Sequence, residues 1–226
     1  MIELVIYALL AAFIFSRLYN SLGRSTNLNL TKLTSILDIN KREEDVLENV
    51  EDYININSAD KNSIISAHEQ ILKKNKDFSV AHFMKGSNIA FELIIQYFNQ
   101  GNLTQLKPLL DKDLYNNFTE KIKHREELDE NHESTIVSIF SQKIEEIKLV
   151  KNIVFIAVSF FSEQINFIKD SSGNIISGST STINKVEDVW QFKKNINSSD
   201  PSWLLVSINY KKAGNDKDLA TNSKYS

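Results

Sequence analysis

The chain has no cysteine among its 226 residues. Disulfides, thiol catalysis and cysteine-ligated zinc are therefore excluded. With two prolines and six glycines, it has little material for a loop that cradles phosphate. None of the patterns GxxxxGKS/T, GxGxxG or GxSxG occurs. The four histidines, His68, His82, His124 and His132, stand in no metal-binding spacing such as HExxH, so neither a metal nor a cofactor is expected. Charge of one sign is lacking as well. The net charge is −3, and residues 78–226 carry 17 basic and 18 acidic side chains. That balance offers no electrostatic ground for a nucleic-acid partner.

What is present begins with MIELVIYALLAAFIFSRLYNSLGR. Leu4 to Phe15 is an unbroken apolar run, nothing basic precedes it, and Arg17 and Arg24 follow it. A membrane-crossing helix needs ~20 mostly apolar residues. Ile2 to Leu22 reaches that length if Arg17 snorkels to the headgroups. A cleaved signal peptide wants a basic start and a small-x-small site, whereas Glu3 stands at the start here. Residues 1–24 therefore read as one transmembrane anchor. The basic flank places the C-terminal part on the cytoplasmic side of the membrane.

Residues 25–77 read as a polar spacer with weak helices. They contain no Pro and no Gly, and an acidic cluster runs from Glu43 to Asp52. Ile64, Ile65, Ala67, Ile71 and Leu72 follow a possible N-cap at Asp60. A compact domain is expected over residues 78–212. Val80, Phe83, Met84, Ser87, Phe91, Ile94, Ile95 and Phe98 recur at helical spacing, and Gly101 stops the helix. Asp111 caps another helix carrying Leu114, Tyr115, Phe118 and Ile122. Strand character begins near Ser134, and Ile153 to Phe161 reads as a central strand. Asp170 to Asn174 is a hairpin turn, Val186, Asp188, Trp190 and Phe192 share one face, and Trp203 to Lys211 is a last strand. Residues 213–226 read as a frayed polar tail. Helices first and meandering strands second indicate an α+β fold, with helices packed on one face of an antiparallel sheet.

Catalytic residues do not stand out. Asp188, a carboxylate on an apolar face, must find a hydrogen-bond partner or lie at an edge. It is also the one candidate acid or base. Phe91, Phe155, Trp190, Phe192 and Trp203 are core residues by default and a pocket lining in the sharper reading. Lys121, Lys123, His124 and Arg125 sit among acidic residues and read as a solvated helix face. The pairs Lys193-Lys194 and Lys211-Lys212 offer a small contact for anionic lipid.

The order of several short motifs resembles the Tim44-like domain family. The first half carries Phe83-x-x-Gly86-x-x-x-Ala90-Phe91-Glu92-x-Ile94, then Phe98-x-x-Gly101, Leu106, Leu109-Leu110, Tyr115, Phe118, Ile122 and Arg125. The second half carries Gly173-Asn174-Ile175-Ile176-x-Gly178, Val189-Trp190-x-Phe192 and Asp200-Pro201-x-Trp203-x-Leu205. Asn102 stands where the family often has Asp, and Ser202 where it has Asn. The resemblance implies a cone-shaped α+β domain of the nuclear transport factor 2 (NTF2-like) kind, with a curved sheet and helices around an apolar pocket. It further implies a membrane-anchored, non-enzymatic adaptor of the bacterial type. Such an adaptor binds membrane lipid or an inner-membrane protein at the cytoplasmic face, in membrane-protein assembly or translocation. The alternative is an enzyme of the same fold that uses the cone pocket.

Overall fold

The computed structural model describes residues 49–55 and 60–210. The anchor read at residues 1–24, most of the spacer before Val50 and the tail at 213–226 lie outside the described residues. Among the described residues, no helix is long and apolar enough to cross a membrane.

A short 3-10 turn, Val50–Tyr53, precedes helix α1, Lys61–Lys74. The Asp60 side chain accepts from Ser63 N at 3.0 Å and caps α1. Lys73 and Lys74 in its last turn complement the helix dipole. Helix α2, Val80–Asn99, is capped by Ser79, whose hydroxyl accepts from His82 N at 3.0 Å. It ends at Gly101, whose φ of +65° lets Asn102 N return to Tyr97 O at 2.9 Å. Asn102 then accepts from Gln105 N at 3.2 Å and caps the single turn α3, Leu103–Leu106. Helix α4 runs Lys112–Glu127.

The sheet is antiparallel throughout. Its strands are β1 Asn131–Val150, β2 Ile153–Lys169, β3 Ile175–Gly178, β4 Asn184–Asn195 and β5 Leu204–Tyr210. The order is β1-β2-β4-β5, and β3 pairs with the far end of β2. The register of β1 against β2 shifts at three places, near Val137, Phe140 and Glu145. Bulges of this kind bend a strand and add twist, and they curl the sheet around the helices.

Parity along β2 defines the two faces. Val154, Ile156, Val158, Phe160, Ser162 and Gln164 are all buried. They share one side of the strand, where Phe91 of α2 stacks on Phe160. Both long edges are partly closed. Asn55 N donates to Ile144 O at 2.9 Å beside β1. At the other edge, Leu205 N donates to Leu109 O at 2.9 Å and Asp111 N to Leu205 O at 2.8 Å. Paired edges leave fewer backbone groups free for unwanted pairing.

The structure moves one boundary. The domain read from Phe78 starts earlier, because α1 is part of its core. Ile64 and Ile71 of α1 are buried, as are Val50 and Ile54 before it. The apolar stripe of α1 is narrow and its other residues are polar, so the sequence alone looks like a spacer. Cover from β1 turns that stripe into core.

Gly178 shows how tightly the hairpin closes. Its φ is +77°, and a Cβ there would lie 2.2 Å from Asn166 O. Gly173, at the turn itself, also has a positive φ of +85° but has open space around it. Gly178→Ala is therefore expected to cost more than Gly173→Ala in urea unfolding. The first should lose about 2–3 kcal/mol through combined backbone strain and clash. The second should lose about 1 kcal/mol through conformation alone. Equal losses would show that the close approach at Gly178 contributes nothing.

Candidate functional site

The space between the helices and the sheet is mostly filled by rings. Phe91 of α2 stacks on Phe160 of β2 with centroids 4.3 Å apart and planes 9° apart. Trp190 of β4 leans on both, at 4.7 Å from Phe91 and 6.0 Å from Phe160. Phe83 meets Phe192 edge-on at 5.9 Å. Offset stacks and edge-to-face pairs at these distances are favourable beyond simple burial.

Beyond this stack a small cleft remains. Ile94, Ile95 and Phe98 of α2 and Phe118 of α4 wall it from the helix side. Gln164, Asp188, Trp190 and Ile208 line it from the sheet. Its free volume is ≈ 20 Å³, room for about one water and far below the ~300–1,000 Å³ usual for ligand sites.

The five aromatic residues expected in one pocket separate. Trp190 does line the cleft. Phe91 and Phe192 are buried core. Phe155 has the opposite parity to Phe160 along β2, so it points to the other face of the sheet. Trp203 precedes β5 and packs on Phe83 at 4.5 Å and Phe78 at 6.2 Å, away from the cleft. Of the five, Trp190 alone lines this cleft.

Asp188 is on the inward face, 5% exposed. Among the described residues, neither its Oδ1 nor Trp190 Nε1 has a hydrogen-bond partner. Burial pushes the Asp188 carboxyl up to about 7, and a side-chain hydrogen bond from Gln164 pulls the other way. Gln164 Nε2 also donates to Ser162 Oγ at 3.0 Å.

Two readings of charge change. Arg125 is buried rather than solvated. Its Nη2 donates to Phe98 O at 2.6 Å and Asn99 O at 3.1 Å, and its guanidinium lies 5.0 Å from the centre of the Phe98 ring. It satisfies carbonyls at the end of α2 and ties α4 to that end. The pair Lys193-Lys194 makes contacts within the domain. Lys193 Nζ meets Asp111 Oδ1 at 2.6 Å, holding that carboxyl below its ordinary range, and Lys194 Nζ donates to Pro201 O at 3.0 Å. Lys211 and Lys212 lie outside the described residues. Among the described residues, no group of three or more His, Asp or Glu is placed to hold a metal ion.

The sequence pattern of the Tim44-like domain matches residues 65–210. The chain belongs to the Tim44-like family. The match begins inside α1, in agreement with the buried Ile71 there. An uncharacterized protein of Rickettsia prowazekii (strain Madrid E), RP434, is 24% identical over 229 residues, spanning 92% of this chain and 96% of that one. Among solved structures, the intermembrane space region of the chloroplast protein ARC6 aligns with 57% of this chain and 97% of its own. Its identity is 8% and the TM-score 0.43.

The Tim44-like motifs acquire physical roles in this fold. Gly101 ends α2, and a Cβ there would come within 3.3 Å of Arg125 Nη2. Asn102, in place of Asp, still caps α3. The Trp190-x-Phe192 motif supplies two inward rings from β4. In Asp200-Pro201-x-Trp203, Asp200 accepts from Ser202 N at 2.8 Å, and Pro201 O anchors Lys194. This bend delivers Trp203 to Phe78 and Phe83. Most of these motifs therefore serve closure of the domain.

Proposed function

We propose that this Tim44-like protein is a membrane-anchored, non-enzymatic adaptor. The apolar run Leu4–Phe15 holds the domain at the cytoplasmic face of the inner membrane, where it binds lipid or an inner-membrane protein. The observation that carries this reading is the filled interior. Phe91 and Phe160 stack between α2 and the sheet, and the cleft beside them has room for about one water, so binding falls to the outer surface. Phe140 and Phe161 support it. They are 55% and 36% exposed and touch each other at 5.8 Å on the face away from α2. Contiguous exposed apolar side chains are a feature of contact surfaces.

Alkaline carbonate extraction tests the anchor. Full-length chain is expected in the membrane pellet, and chain lacking residues 1–24 in the supernatant. Full-length chain in the supernatant overturns the anchor. Capture from mild detergent tests the adaptor role. Recovery of no membrane protein, together with no binding of full-length chain to vesicles, overturns that role.

A second reading is favoured by Asp188 alone. A carboxyl with its pKa raised by burial, facing a cleft, is a recognised mark of an acid or base. It would require a reacting group small enough for the cleft.

A further inference from the structure

The hairpin formed by the end of β2 and β3 stands apart from the core. β4 leaves β2 at the pair Gln164–Asn184, and among the described residues β3 pairs with β2 alone. Asn99, the last residue of α2, donates from Nδ2 to Ser134 O at 2.7 Å, and Ser134 sits opposite Asn166. Phe167 to Lys169 and the turn after them therefore run on past the end of α2, by ~10 Å for the strand alone. Ile175 and Ile176 on β3 are 46% and 53% exposed, and Ile183 at the base of the hairpin is 51% exposed.

From Ser171 to Asn184 there is no charged residue, although 24% of the chain is charged. Serine, threonine, asparagine and glycine fill the stretch between the isoleucines. The charges nearest the turn are engaged within the fold. Asp170 accepts from Ser172 N, Asn174 N and Asn174 Nδ2, and Lys169 Nζ meets Glu133 Oε1 at 2.9 Å. Asp129 and Glu130 precede β1, which lies on the opposite edge of β2 from β3.

Exposed aliphatic side chains without charge suit a protein groove or a lipid surface. Protein hot spots are enriched in Trp, Tyr and Arg, and this stretch has none of them. Entry into the headgroup–acyl boundary asks for apolar side chains and no charge to desolvate, which is the composition found. The open edge of β3 limits the depth. Its outward N–H and C=O groups need water, which the hydrocarbon core lacks.

We propose that the β2–β3 hairpin is a lipid contact that dips Ile175 and Ile176 into the headgroup–acyl boundary of a bilayer. This contact rests on the membrane-bound reading above, and at this element its partner is lipid.

Because the chain has no cysteine, a single Ile176→Cys substitution places one NBD fluorophore on full-length chain. Nanodiscs of palmitoyloleoyl phosphatidylcholine are the probe surface and leave both faces open to a quencher. Chain that co-elutes with the discs should show blue-shifted NBD emission, shielding from aqueous iodide and quenching by lipid nitroxides near the headgroup. The same label at Asn152, in the turn at the other end of β1 and β2, should stay open to iodide. Ile175→Asp beside the Ile176 label should return that label to water. Chain that enters the discs with its Ile176 label still open to iodide overturns the hairpin contact and leaves the anchor standing. Chain that does not enter the discs overturns both. Shielding that survives Ile175→Asp assigns the shift to the fluorophore, and shielding that rises with the number of chains per disc assigns it to a second copy; either result overturns the proposal.

Discussion

Phe91→Ala is expected to destabilise the domain by about 3–5 kcal/mol, the usual range for truncating a buried phenylalanine. Phe91 is 0% exposed. It lies in the ring cluster with Phe160 and Trp190, at 4.3 and 4.7 Å. Truncation removes its own transfer energy and strips contacts from both neighbours. The surrounding β2 and β4 are hydrogen-bonded on both sides, so collapse into the void is limited. Urea unfolding measures the loss, with Phe140→Ala as comparison. Phe140 is 55% exposed and should change stability by less than about 1 kcal/mol. Similar losses at the two positions would mean that the stack is not the core of the domain. A loss confined to Phe91 supports a filled interior, on which the adaptor reading rests.

Asp188→Asn is expected to stabilise the domain at pH 8 and to have little effect near pH 3. Burial raises the folded-state carboxyl from 3.8 to about 7. At ~1.4 kcal/mol per unit, the ionisation penalty at high pH is on the order of 4 kcal/mol. Below about pH 4 the carboxyl is neutral in both folded and unfolded chain, and no penalty applies. Between pH 4 and 7 only the unfolded chain ionises, so wild-type stability falls as pH rises through this window. Above about pH 7 the full penalty is present. The asparagine cannot ionise, but it still buries a polar amide, so the net gain at pH 8 should be about 1–3 kcal/mol. Asp111 and Asp170 have lowered values, through a side-chain hydrogen bond from Lys193 and from Asn174 respectively. Their contribution has the opposite slope and is lost as pH falls. The difference between wild type and variant removes it. Parallel pH profiles for the two proteins would show that Asp188 is ionised without cost, and therefore better solvated than its burial indicates.

Much of the fold is local and therefore legible. Helix α2 shows an apolar stripe between a Ser79 cap and a Gly101 stop, each acting within a few residues. The turn at Asp170 is likewise set by its own atoms. Asp170 Oδ1 accepts from Ser172 N at 2.9 Å and from Asn174 N at 2.8 Å. Alternation along β4 correctly put Asp188, Trp190 and Phe192 on one face. Helix α1 was less legible, because its cover comes from β1, which is distant in sequence. Arg125 was hidden for the same reason. Its partners are carbonyls of α2, 26 and 27 residues away, and its immediate neighbours are charged.

By itself, then, the sequence determined the element types, their order, the caps and turns, the family, and which residues of β4 face inward. These follow from periodicity and from backbone preferences that act over a few residues. Only the tertiary structure decided which aromatic residues meet. Phe155 and Phe160 are both apolar residues of β2, yet opposite parity sends one outward and the other into the stack. It also decided that Asp188 is buried beside the unpartnered indole of Trp190. Burial depth and hydrogen-bond partnership depend on what α2, α4 and β5 bring over the strand, and no local pattern in β4 records that.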